Sequence, residues 1–124
     1  MDQDMYNRGL AMRKKVLGDA YVDRALQNAD DFSRDFQRLL TQYCWGEAWT
    51  DPALTPRERS ILNLGMIAAL GKMEEFATHV RGALTNGVTE NELRAALTQI
   101  AVYCGAPVGV DCFRIARQVL AANK

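Results

Sequence analysis

The chain has 124 residues, enough for one compact domain with its own core and little room for a second. Fifteen Lys and Arg balance fifteen Asp and Glu, which removes the basic surplus that nucleic-acid binding usually needs. One histidine and three cysteines without a Cys-x-x-Cys pair exclude a multi-histidine metal centre, a zinc ribbon and a disulfide framework.

Helical signals follow one another along the whole chain. Tyr6, Leu10, Met12, Val16 and Leu17 lie near helical spacing, and Gly18 is placed to end that helix. A short segment over residues 21–26 follows. Asp30 or Asp31 can cap a longer helix whose apolar positions are Phe32, Phe36, Leu39, Leu40 and Tyr43, with Trp45-Gly46-Glu47-Ala48-Trp49 at or just past its end. Residues 50–55 read as a loop. Thr55-Pro56-Arg57-Glu58 is a helix start, with Pro56 in the first position and Thr55 and Glu58 spaced as a capping box. The helix over residues 55–70 is apolar on most of its circumference, which predicts a central, buried element. Gly71 ends it. A helix over residues 72–85 stops at Asn86-Gly87, and Thr89-Glu90-Asn91-Glu92 is a second capping box opening a helix to about Cys104. Gly105-Ala106-Pro107 breaks the chain before a last helix carrying Val110, Phe113, Ile115, Ala116 and Val119.

The expected fold is therefore all-α, with six or seven helices in a single domain spanning residues 1–124. The apolar helix 55–70, together with Trp45, Trp49 and Tyr103, offers more apolar surface than a small monomer easily covers, so a homo-oligomer is expected. The N-terminus has no signal-peptide pattern, and the apolar run at residues 61–70 is too short to span a bilayer. Unpaired Cys44, Cys104 and Cys112 suit a reducing compartment, so the expectation is a cytoplasmic protein without membrane or nucleic-acid partners.

Three places could carry chemistry. His79 borders the apolar face of its helix beside Phe76, Val80 and Ala83, where an imidazole can act as acid, base or electrostatic partner, or simply be a half-buried structural histidine. Glu47 lies between Trp45 and Trp49, where desolvation could raise its pKa, the alternative being a solvated surface carboxylate. Tyr103 stands at the sharp Gly105-Pro107 helix end, where its hydroxyl or the exposed amides could meet an oxyanion, or the feature is only a helix break.

From Tyr43 onward the chain resembles the carboxymuconolactone decarboxylase family. The resemblance is carried by Trp45-Gly46-Glu47-x-Trp49, Leu54-Thr55-Pro56-Arg57-Glu58-Arg59-Ser60, Ala68-Ala69-Leu70-Gly71, Glu75-x-x-x-His79, the segment from Ala83 to Thr89, and Ala101-Val102-Tyr103-Cys104-Gly105-Ala106-Pro107. The stretches Arg8-Gly9-Leu10 and Val16-Leu17-Gly18 are similar to the N-terminus of stand-alone members. The resemblance implies an alkylhydroperoxidase D-like fold, a trimer or hexamer, and loss of CO2 from 4-carboxymuconolactone to give β-ketoadipate enol-lactone in protocatechuate breakdown, with no cofactor and no metal. The chemistry of that reaction, taken by itself, gives His79 as electrostatic partner or general acid and Glu47 as a second proton-handling group, with Tyr103 and Ser60 hydrogen-bonding the lactone, Arg59 or Arg81 holding a carboxylate, and Trp45 at the substrate. The peroxidase branch of the same fold is disfavoured, because Lys72 and Glu75 occupy the positions of its two cysteines and Ser60 that of its glutamate. Gln99 stands where typical members of the decarboxylase branch resemble Leu-Leu-His, which leaves open a different lactone or carboxylate substrate, or a non-catalytic oligomeric domain.

Overall fold

Local chemistry sets the helix limits. In a computed structural model describing residues 2–123, seven α-helices and one π-helical segment form, with no strand among the described residues. The chain divides into two compact units, Met1–Pro56 and Arg57–Lys124.

The first unit begins with α1 (Gln3–Leu17). The Asp2 side chain accepts from the Met5 amide at 3.1 Å, and Gly18, at φ 92°, turns the chain out of the helix. Helix α2 (Asp19–Gln27) follows directly. The predicted cap at Asp30 then does something different. Its Oδ1 accepts from the amides of Phe32 and Ser33 and from the Ser33 hydroxyl, closing a turn, so α3 starts later, at Arg34 (Arg34–Leu39).

Helix α3 runs without a break into a π-helical segment, Leu40–Ala48, in which the Trp49 amide still donates to the Cys44 carbonyl five residues back. The Trp45-Gly46-Glu47-Ala48 stretch, expected at or past a helix end, therefore lies inside this widened turn. Helix α1 and the π segment come together at two glycines. A Cβ on Gly9 would collide with the Thr41 carbonyl and lie 2.7 Å from the Gly46 amide nitrogen. Gly46 in turn abuts the Met5 carbonyl. Val16, Trp45 and Trp49 fill the core of this unit, with the two indoles stacked 4.7 Å apart. The apolar stripe Phe32, Phe36, Leu39 and Tyr43 faces solvent in the single chain, Phe32 almost completely.

The second unit holds α4 (Pro56–Ala69), α5 (Met73–Thr85), α6 (Glu90–Cys104) and α7 (Ala106–Ala122). Pro56 takes the first helical position as expected, and Gly71, Gly87 and Gly105, all at positive φ, make the three turns. The capping box on α6 is complete. Thr89 Oγ1 accepts from the Glu92 amide at 3.1 Å, and Glu92 Oε1 accepts from the Thr89 amide at 3.0 Å. The other Glu92 oxygen pairs with Arg57 at the start of α4.

Helix α7 packs on α5 and α6, and Gly109 lets it close on Ala101 of α6. Leu64, Phe76, Val80, Leu93, Leu97 and Cys112 are fully buried at the centre. Helix α4 is not the buried central element its composition suggests. Only Ser60, Leu64 and Ala68 are buried, while Leu62, Met66 and Leu70 are exposed. One stripe of the helix meets this unit's core, and the rest of its apolar circumference forms surface of the single chain.

Candidate functional site

Five of the residues singled out from the sequence belong to the second unit. His79 sits in the middle of α5, half-buried, with Phe76 and Val80 in the core beside it. Burial pushes the imidazole below its usual pKa, and Glu75, one turn earlier, opposes that shift only in part. At neutral pH the ring is therefore uncharged, with one nitrogen able to donate and the other to accept. It can polarise an oxygen or take up a proton, but it does not store one.

Ser60 is 1% exposed, and its hydroxyl oxygen accepts from Asn86 Nδ2 at 2.9 Å, tying α4 to the end of α5. Arg59, next to it, is half-buried. Arg81 is exposed, with Nη2 donating to Thr78 Oγ1 at 3.3 Å on its own helix. Tyr103 is 82% exposed at the end of α6. It lines a cleft of about 310 Å³ between α4 and α6 with Ile61, Leu62, Gly65, Gln99 and Ile100. No charged side chain lines this cleft, and its polar groups are the Gln99 amide, the Tyr103 hydroxyl and the Cys104 thiol. Its volume is at the small end of the range for small-molecule sites, roughly 300–1,000 Å³. Gln99, noted in the sequence as a departure, is thus a lining residue. A wider groove of about 800 Å³ runs between α6 and α7, with Leu93, Leu97 and Phe113 on its floor and Arg94 and Arg117 beside them.

Trp45 and Glu47 belong to the first unit. Trp45 is 4% exposed and stacks on Trp49. The sequence sets Glu47 between two indoles. In the structure the indoles stack on each other in the core, and Glu47, on the opposite side of the widened turn, is exposed.

Sequence reasoning passed over Arg13, which is only 4% exposed. Its Nη1 donates to Gln37 Oε1 at 3.0 Å and to Thr41 Oγ1 at 3.1 Å. Burial lowers its pKa, and Tyr21, Cys44 and Tyr6 lie near enough to oppose that electrostatically. An Arg-Lys-Lys run reads as a solvated face. The available signal was position, since Arg13 falls between Gly9 and Val16 on the buried side of α1.

Among the described residues, no group of three or more His, Cys, Asp and Glu side chains is placed to hold a metal ion, and no helix is long and apolar enough to cross a membrane.

Comparison with known proteins adds the chemistry. The sequence pattern of the Carboxymuconolactone decarboxylase family matches residues 34–118. The chain is 40% identical over 116 residues to the nitrosuccinic acid decarboxylase of Metarhizium robertsii, covering 94% of this chain and 81% of that protein. It is 36% identical over 118 residues to the 4-carboxymuconolactone decarboxylase of Acinetobacter baylyi, covering 95% and 88%. A Pseudomonas putida sequence of the latter name is 39% identical over 46 residues, covering 37% of this chain and 96% of that sequence.

Proposed function

Since the chain belongs to the carboxymuconolactone decarboxylase family and is a carboxy-lyase, we propose that it decarboxylates 4-carboxymuconolactone to the enol-lactone of β-ketoadipate in the breakdown of aromatic compounds. The observation that carries this reading is similarity to a decarboxylase of that substrate along 95% of the chain.

The substrate supplies its own electron sink. When the carbon–carboxylate bond breaks, the electron pair passes through the adjoining double bond onto the lactone carbonyl, giving a dienolate, and CO2 leaves. A proton then returns to a ring carbon. The protein has to stabilise the developing oxyanion, deliver the proton and leave the departing carboxylate poorly solvated. In this reading the uncharged His79 imidazole donates to the oxyanion, and Glu47 is the second proton-handling group. The Tyr103 hydroxyl contacts the lactone from the uncharged α4–α6 cleft, and Arg59 or Arg81 takes a carboxylate. Ser60, held by Asn86 inside the core, keeps α4 in place at that cleft. Trp45 acts through its stack with Trp49. The chain works as one functional domain in a homo-oligomer, a trimer or hexamer, in the cytoplasm, which would cover the exposed Leu62, Met66, Leu70 and Val102.

A second reading has its own observation, the 40% identity to a nitrosuccinic acid decarboxylase over 94% of the chain. A nitro group on the carbon that loses CO2 accepts the electron pair as a nitronate, so the same oxyanion donor and proton return would serve. Purified protein offered each acid in turn, with CO2 release and substrate absorbance followed, separates the two. His79→Ala should slow turnover of the true substrate about 10²–10⁴-fold. Failure to consume either acid would remove both readings.

A further inference from the structure

The guanidinium of Arg13 is held at one end and unused at the other. Both contacts to Nη1 are neutral, from the Gln37 amide oxygen and the Thr41 hydroxyl. Thr41 Oγ1 also donates to the Gln37 carbonyl at 2.9 Å, which fixes the hydroxyl and with it the plane of the guanidinium. The opposite edge of the fork is formed by Nε and Nη2, the pair that receives a carboxylate side-on with two parallel hydrogen bonds. Neither atom bonds to a described residue, and Nε is sealed from solvent with no acceptor.

A buried cation is normally paired, because taking an unpaired charge out of water is costly. Among the described residues no carboxylate lies within ion-pair distance of Arg13, whereas its neighbour Lys14 pairs with Asp23 at 3.3 Å. The groups in contact with the guanidinium are an amide and a hydroxyl, and those that act on it electrostatically are two phenols (Tyr21 and Tyr6) and a thiol (Cys44). Such a shell orients a cation and leaves its charge uncompensated.

We infer that Arg13 is a carboxylate-binding residue, its Nε/Nη2 edge receiving one carboxylate of a small dicarboxylic acid. The identity of that acid rests on the decarboxylase reading above. A substrate with two carboxylates that loses one keeps another to be held in place, and Arg13, fixed by Gln37 and Thr41, is better set for that carboxylate than Arg59 or Arg81. The same chemistry could be met by an acidic side chain of a second copy, so the test separates the two sources.

The test uses the whole chain, labelled with ¹⁵N, and follows the arginine Nε–H resonances by NMR during titration with succinate, a plain dicarboxylate, against sodium chloride at equal ionic strength. One resonance, missing from Arg13→Lys, should move saturably with succinate and not with chloride. Lysine keeps the charge but lacks the planar edge, so Arg13→Lys should bind succinate about 10- to 100-fold more weakly by calorimetry. If that variant does not fold, the wild-type titration, with the signal assigned through the Arg13 backbone, decides alone. An Nε–H signal indifferent to succinate overturns the proposal. A signal that moves only with protein concentration overturns the small-acid ligand in favour of a second copy's carboxylate. Failure here is distinct from failure of the proposed function. Succinate binding without turnover of either substrate acid would remove the decarboxylase substrates and keep Arg13. Turnover by Arg13→Lys at unchanged KM would do the reverse.

Discussion

Gly9→Ala offers a strict test of how the first unit is assembled. Gly9 lies in mid-α1 at an ordinary helical φ, so intrinsic propensity alone favours alanine there by about 1 kcal/mol. The structure reverses the sign. The added Cβ would overlap the Thr41 carbonyl and stand 2.7 Å from the Gly46 nitrogen and 2.9 Å from its Cα. Carbon contacts are comfortable at about 3.5–4.0 Å, so the two segments must separate by roughly an ångström. All three atoms are backbone, so no side chain can rotate away. Separation would loosen the contacts of Val16 with Trp45 and Trp49 that make up this unit's core. Overpacking of this kind typically costs about 1–3 kcal/mol and occasionally more, which leaves a net loss of up to about 2 kcal/mol after the propensity gain. Both tryptophans of the chain lie in this unit, so the urea midpoint read by tryptophan fluorescence reports on it directly. Gly65→Ala is the control. It is also mid-helix, nothing lies within 4 Å of its Cβ position, and it should gain about 1 kcal/mol, read by circular dichroism. A Gly9→Ala midpoint equal to or above wild type would refute the close approach of α1 and the π segment.

Three further outcomes are expected. His79 is the sole histidine, so its ring proton is easily identified, and it should titrate below 6.5. Because the folded state resists protonation, the associated stability is present above pH 6.5 and is lost as pH falls from there through the lowered native value; His79→Gln should flatten that loss, and a native pKa at or above 6.5 would contradict the burial of the ring. Thr89→Ala removes one half of the α6 capping box and should lower the thermal unfolding free energy by about 0.5–2 kcal/mol, with no loss meaning that the box is decorative. The Cys112 thiol is wholly buried and pushed up to about 11, chiefly by burial and then by Asp111 and Cys104. Iodoacetamide at pH 8 should leave it unmodified in the native protein and label it only in denaturant, as mass spectrometry of the peptide would show.

The second unit was largely legible in the sequence because its punctuation is local. Pro56, the Thr89–Glu92 box, and the glycines at 71, 87 and 105 each act within a turn of where they stand. What escaped depends on distance. Phe32, Phe36, Leu39 and Tyr43 have the spacing of a core face, but spacing alone does not say what a face meets, and here it meets solvent. The same holds for Leu62 and Met66 on α4. Glu47 shows the limit from the other side. Neighbours in sequence need not be neighbours in environment, and the widened turn stacks Trp45 on Trp49 while sending Glu47 outward. Arg13 was hidden by its company, since two lysines beside it mask the one basic residue that points inward. Gly9 and Gly46 carried a signal that composition could not decode, because each glycine is explained only by the backbone of the other segment.

The π-helical stretch from Leu40 to Ala48 has a consequence for how this chain can change length. Five-residue hydrogen bonds hold more chain per turn than four-residue ones. Removing a single residue from the stretch would let the turn relax to ordinary pitch without breaking the helix. The widened turns hold that residue as surplus, so the positions after the deletion would keep their direction about the axis. Trp49 would stay at the indole stack, while the side chains inside the stretch would take new faces. The stretch thus works as slack in the chain, from which one residue can be lost without resetting the face that the following segment presents.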